Sequence, residues 1–223
     1  MMKKSEEIKK MFNKIAQNYD FLNDKISLGT HIYVRKQAIK LLNIESGANV
    51  LDLCTGSGDL IGVIKYYYPD CNITGVDFSE KMLEIAKKKY PKTNFWTQDA
   101  TNLSFYDATF DYVVCSFGFR NIQEKSKALS EISRVLKNGG YFMHLDFGAK
   151  HIIAKIYNLI ALMLAKKYSK DFNAYKYLIK SINNFLPPKE LIKTFEKYNF
   201  KLIKRKDFFF GIISCQIMQK YSD

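Results

Sequence analysis

The chain has 223 residues, 47% of them hydrophobic and 26% charged, with 11 glycines and 4 prolines. That excludes wholesale disorder and collagen-like or low-complexity architecture, and leaves one domain with appendages or two small ones. The net charge of +13 is uneven, with +5 over residues 1–43, −2 over 44–149 and +10 over 150–223. Both ends therefore favour an anionic surface, nucleic acid or a phospholipid leaflet, unless they are only a well-solvated exterior.

Cys54, Cys71, Cys115 and Cys215 stand far apart and pair with no histidine at ligand spacing, so reduced thiols and no metal site are expected. The amino terminus carries Glu6 and Glu7 and no apolar core, unlike a signal or transit peptide. The charge-free run 156–165 is too short to cross a bilayer.

Ile8, Met11, Phe12, Ile15 and Tyr19 recur at helical spacing and predict an amphipathic helix over 5–19; a second short helix follows over 31–43. Residues 49–53 read as a buried strand running into Thr55-Gly56-Ser57-Gly58 and a helix over 59–68. Residues 72–76 form a strand ending at Asp77, and Ser79 caps a helix over 80–90. Strands follow over 94–97 and 110–116, then a helix over 125–136 stopped by Asn138-Gly139-Gly140, then a strand over 141–147. Residues 151–185 read as helical, Pro187-Pro188 marks a boundary, and a helix near 189–198 precedes strand-like runs over 201–210 and 212–219. The alternation from 49 to 147 predicts an α/β fold with a mostly parallel Rossmann-like sheet and helices on both faces.

The first strand–turn–helix carries the chemistry. Gly56 and Gly58 let the backbone approach a ligand closely, while Ile61 stands where a dinucleotide fingerprint needs a third glycine. Asp77, with Phe78 beside it, is placed to take a ribose diol, and Asp99-Ala100 follows the third strand, where the acid meets an adenine amino group. Asp52 adds a further acid on the first strand. An adenine nucleoside without a pyrophosphate fits, and S-adenosyl-L-methionine (SAM) is such a ligand.

Four further patterns are more specific. Residues 12–24 (FNKIAQNYDFLND), Ser27-Leu28-Gly29-Thr30-His31, Ser116-Phe117-Gly118-Phe119-Arg120-Asn121 and residues 174–182 (AYKYLIKSI) resemble motifs of the ubiquinone/menaquinone biosynthesis C-methyltransferases, the UbiE/MenG type. The resemblance covers roughly residues 11–220. It implies a class I SAM-methyltransferase sheet with an antiparallel C-terminal strand. Its organisation would be an N-terminal helical cap (1–43), a SAM-binding core (44–150), a helical substrate lid (151–186) and a final helix with a strand pair (187–223). SAM contacts are implied at Ser57, Asp77, Asp99, Ala100 and Ser116. The implied substrate is a polyprenylated quinol, demethylmenaquinol or, alternatively, the 2-methoxy-6-polyprenyl-1,4-benzoquinol of ubiquinone synthesis. There are departures. Residues 147–150 lack a proline common in relatives, and Gln216 stands where many carry histidine.

Ring methylation needs a proton taken from the quinol and its oxygen charge stabilised. Arg120 is expected to stabilise that charge and to act as base only through a water, with Asn121 orienting it. His31 has the intrinsic pKa of a base, but stands equally well as a structural residue before a helix. Tyr19 bonds the quinol or closes over SAM, unless it only packs in the core. Asp59 either takes the SAM amino group or simply complements a helix N-terminus. His144, in an apolar strand, reads as a satisfied core residue. The apolar run over 152–164 reads as core, or as a lid over a prenyl tail.

The implied location is cytoplasmic, at the inner face of a membrane, with transient contact to anionic lipid and a homodimer left open. A nucleic-acid methyltransferase is disfavoured because no N/D-P-P-Y/F turn follows the fourth strand, and a non-catalytic SAM-binding subunit is disfavoured by the intact turn.

Overall fold

The computed structural model describes residues 2–148, 162–168 and 171–221. Its centre is a seven-stranded sheet. The strands are β1 (Asn49–Leu53), β2 (Asn72–Asp77), β3 (Asn94–Thr97), β4 (Phe110–Ser116), β5 (Leu136–Phe147), β6 (Phe200–Phe208) and β7 (Ile213–Lys220). Their order is β3-β2-β1-β4-β5-β7-β6. The first five run parallel, and β7 pairs antiparallel with both β5 and β6. This is the expected class I SAM-methyltransferase sheet.

The central strands are apolar on both faces because helices cover both. Val50, Val114, Met143 and Leu145 pack under α2 (Thr30–Leu42), α3 (Asp59–Tyr67) and α4 (Glu80–Lys89). Leu51, Leu53, Val113 and Phe142 pack under α5 (Lys125–Val135) and α7 (Pro188–Glu196). A smaller cluster joins Ile15, Ala16 and Leu22 of α1 (Met2–Ser27) to Met82 of α4 and to Ala174 and Tyr175 of α6 (Phe172–Asn183). It holds α1 beside the carboxyl ends of the strands.

Three boundaries differ from the sequence reading. The first helix runs on to Ser27 because Leu22 and Ile26 continue its apolar face beyond Tyr19 and no glycine intervenes before Gly29. The helix expected over 125–136 ends at Val135, and the strand expected from Tyr141 already begins at Leu136. Leu136 already pairs with Phe110, residues 137–140 bulge out with Gly139 at φ 79°, and Tyr141 re-enters opposite Tyr112. The final hairpin turns through Phe209, Phe210 and Gly211, all at positive φ, so its strands end at Phe208 and restart at Ile213. Of the expected insertion, 162–168 and α6 are helical, while most of the apolar run over 152–164 lies outside the described residues.

Candidate active site

The turn after β1 is built from left-handed backbone. Cys54, Gly56 and Gly58 have φ of 59°, 57° and 87°, values that two of the three meet by being glycine. The turn is tied down by acids. Asp77 Oδ2 accepts the Gly56 N–H at 2.9 Å and its Oδ1 accepts the Ser79 N–H at 2.9 Å. Thr55 Oγ1 donates to Asp52 Oδ2 at 2.5 Å, and Ser57 Oγ donates to Asp20 Oδ1 of α1 at 2.5 Å.

A cleft of about 450 Å³ opens above this turn, at the carboxyl ends of β1 to β4 and under α1. Among the anticipated residues its lining takes in Gly56, Ser57, Asp59, Asp77, Phe78, Asp99, Ala100, Ser116, Tyr19 and Asn121, and leaves out Gly58, Arg120 and His31. Gly58 shapes the turn from behind, facing the Tyr90 ring.

Arg120 lies just beneath. Its Nη1 donates to Asp146 at 2.9 Å and to the Phe117 carbonyl, and its Nε donates to Ser181 Oγ of α6 at 3.3 Å. The arginine motif and the α6 motif therefore meet at one guanidinium. His31 sits at the α1–α2 corner, its Nδ1 2.5 Å from Ser27 Oγ and its Nε2 3.4 Å from Asp24 and 3.8 Å from Asp59. Burial and the nearby Arg35 lower its pKa. Asp59 is shared by Lys89 at 3.2 Å, His31 and Arg35.

His144 is only half satisfied. Nδ1 meets Gln216 Oε1 at 2.6 Å, but Nε2 has no partner among the described residues, and the ring is caged by Phe119, Phe142, Phe185 and Phe195. Burial lowers its pKa, which keeps the ring neutral in that cage.

Two acids of the cleft are raised by burial. Burial pushes Asp52 up to about 7 despite the Thr55 hydrogen bond and Arg35. Burial likewise pushes Asp77 up to about 6 against its backbone donors. Tyr19 is raised by burial, with Arg120 pulling it back. Ser116 Oγ and Asn121 Oδ1 are buried without a protein partner among the described residues, and both residues line the cleft. Orphaned acceptors and raised acids are what a bound cation with hydroxyl and amino donors would satisfy.

The model of the ubiE/COQ5 methyltransferase family matches residues 1–220. The chain belongs to that family. A demethylmenaquinone methyltransferase of Thermotoga maritima is 37% identical over 86% of this chain and 87% of the relative. One of Staphylococcus aureus is 33% identical over 98% of this chain and 95% of the relative. The fold is shared with a Thermotoga maritima SAM-dependent methyltransferase described as a possible histamine N-methyltransferase. Its TM-score is 0.72 at 19% identity, covering 96% of this chain and all of the other. The protein is thus a SAM-dependent methyltransferase, and its cleft suits SAM. Asp52, Asp59, Asp77, Asp99, Ala100 and the unpartnered Ser116 Oγ all line it.

Sequence reasoning did not single out Asp20, Arg35, Lys89 or Asp146. The one available signal was Asp146, a charge inside the otherwise apolar strand 141–147.

The raised acids predict a pH dependence. The carboxyl groups of Asp52 and Asp77 shift from an ordinary 3.8 to about 7 and about 6, so the folded state holds more protons than the unfolded one. Their contribution is fully present below about pH 4 and is lost as pH rises towards 7. Cationic SAM favours the ionised forms, so its affinity should rise over the same window. Melting curves with and without SAM from pH 5 to 8 should show a SAM-induced upshift that grows with pH; a constant upshift would contradict the assignment.

Proposed function

We propose that the protein methylates a ring carbon of a reduced polyprenylated quinone, demethylmenaquinol. What supports this most is the match, at 33–37% identity over most of the chain, to two relatives named demethylmenaquinone methyltransferase. The cleft agrees with it. Beside the acids its lining includes Phe12, Tyr19, Phe117 and Ile122, apolar groups suited to a flat ring.

SAM, when bound, would supply a methyl group on a positively charged sulfur; Asp77 would hold its ribose, and Asp99 and Ala100 its adenine. The ring carbon must be electron-rich, which the quinol provides and the oxidised quinone does not. Tyr19, its hydroxyl kept protonated by burial, donates a hydrogen bond to a quinol oxygen. Arg120 is too basic to accept a proton. Held by Asp146, it supplies positive potential where that oxygen gains charge. Asn121 Oδ1, without a protein partner, orients the water that takes the proton. His31 acts as a positioning residue through Asp59 and Ser27. Holding the ring in line with the methyl group supplies much of the acceleration.

The test is transfer of labelled methyl from SAM to chemically reduced demethylmenaquinol in detergent, with the methoxybenzoquinol and bulk RNA alongside. Label in demethylmenaquinol supports the proposal, and label only in RNA overturns it.

The substrate's prenyl tail and the basic flanks also suggest contact with an anionic leaflet. No described helix is long and apolar enough to cross a membrane. Each Lys or Arg near such a surface contributes about 1 kcal/mol. Co-sedimentation with phosphatidylglycerol vesicles should be strong at low salt and fall at high salt; unchanged sedimentation would count against contact.

A further inference from the structure

We propose that Arg35 receives the carboxylate of SAM's amino-acid end. The inference rests on the cofactor placement above. Arg35, on α2, is 7% exposed and lines the cleft. A buried guanidinium is costly unless paired. The other three arginines each hold a carboxylate at 2.7–2.9 Å: Arg120 with Asp146, Arg134 with Glu131 and Asp107, and Arg205 with Asp207. Arg35 has no such partner. Its Nη1 donates to the His31 carbonyl at 3.0 Å, and its Nη2 reaches Asp59 only at 4.0 Å. Its Nε is buried with no partner among the described residues. The weakly used edge is therefore Nε with Nη2, the side of the fork that takes a carboxylate through two parallel hydrogen bonds. Asp59 does not fill it: it stands 4.0 Å off and is shared with Lys89 at 3.2 Å and His31 at 3.8 Å.

Position agrees with chemistry. The sheet order β3-β2-β1-β4 sets the direction of the ligand. With adenine at Asp99 beyond β3 and ribose at Asp77 on β2, the amino-acid end falls over β1 and β4. There Arg35 lies over the Phe117 ring at 5.0 Å, on the residue after Ser116. The zwitterion then meets both signs: Ser116 Oγ and Asp52 accept from its ammonium, and Arg35 donates to its carboxylate. The N-terminus of α3 adds partial positive charge at the same end.

The test compares SAM with decarboxylated SAM, which lacks only the carboxylate, by calorimetric titration of the wild type, Arg35→Gln and Arg35→Lys. A hydrogen-bonded charge pair of this kind corresponds to about 10- to 100-fold in affinity. The wild type should prefer SAM by about that factor. Arg35→Gln should erase the preference by weakening SAM alone. Arg35→Lys should keep part of it, since the charge stays and the fork is lost. The ratio of the two affinities is unaffected by partial unfolding, which weakens both ligands equally. Equal losses for both ligands, no loss for either, or a wild type without preference would overturn the proposal for Arg35 alone. A wild type that binds neither ligand would overturn the cofactor placement itself, and this proposal with it. An Arg35→Gln variant that raises only the quinol KM would move the residue to the other substrate and overturn it too.

Discussion

Replacing Asp146 by alanine is expected to destabilise the protein by about 3–5 kcal/mol, because it strands a buried charge. The Asp146 side chain is fully buried and that of Arg120 is 5% exposed. Asp146 accepts from Arg120 Nη1 at 2.9 Å and from the Phe147 N–H at 2.9 Å. With the carboxylate gone, the guanidinium keeps only Ser181, the Phe117 carbonyl and the face of Phe147. At roughly 2–4 °C per kcal/mol for a chain of this size, the melting temperature should fall by roughly 6–20 °C. Asp146→Asn should fall between, since one oxygen still accepts. Replacing both partners with apolar residues, Arg120→Met with Asp146→Leu, should recover much of the stability while methyl transfer stays lost. That split separates holding the fold from stabilising the quinol oxygen. A melting temperature within about 2 °C of wild type for Asp146→Ala would show that the pair does not hold this corner.

The contrast between Arg120 and its partner shows what sequence can carry. Gly56, Asp77 and Asp99 were legible because each lies at or just past the carboxyl end of a parallel strand, which faces the ligand edge of the sheet. The sheet itself was legible for the same reason. Asp146 stands 26 residues from Arg120, and Ser181 stands 61 away, so their meeting depends on how β5 and α6 pack. Nothing in the sequence marks Arg35 on its short helix; only burial and an unused Nε set it apart. The bond from Ser57 to Asp20 spans 37 residues and exists because α1 crosses the cleft. His144 looked like an ordinary core histidine because the aromatic cage that leaves Nε2 unpartnered is drawn from three other elements. The bulge over 137–140 hides similarly, since a glycine pair after a helix usually signals a stop rather than a strand already begun.

Asp77→Ala should produce the largest loss of cofactor binding. Two ribose hydroxyls donating to an ionised carboxylate are worth about 1.5–3 kcal/mol each. Their loss corresponds to roughly 10²- to 10⁴-fold in Kd. The alanine also frees the Gly56 and Ser79 N–H groups, both held at 2.9 Å, so the turn that shapes the site loosens as well. Asp77→Asn separates the two effects. Its single amide oxygen can satisfy only one of those two backbone donors while its NH₂ faces the other, so it keeps the size of the side chain but disturbs both the turn and the ribose. Titration with S-adenosylhomocysteine measures the affinity without turnover. The same titrations repeated from pH 5 to 8 supply an independent signature. Asp77 is pushed up to about 6 by burial, so wild-type affinity should climb as pH passes that value, and that part of the climb should vanish in Asp77→Ala. The part due to Asp52, pushed up to about 7, should remain. A loss below about fivefold with the pH profile unchanged would take the ribose off Asp77. The orientation of the ligand along β3, β2 and β1 would then fall, and with it the reason for placing its carboxylate at Arg35.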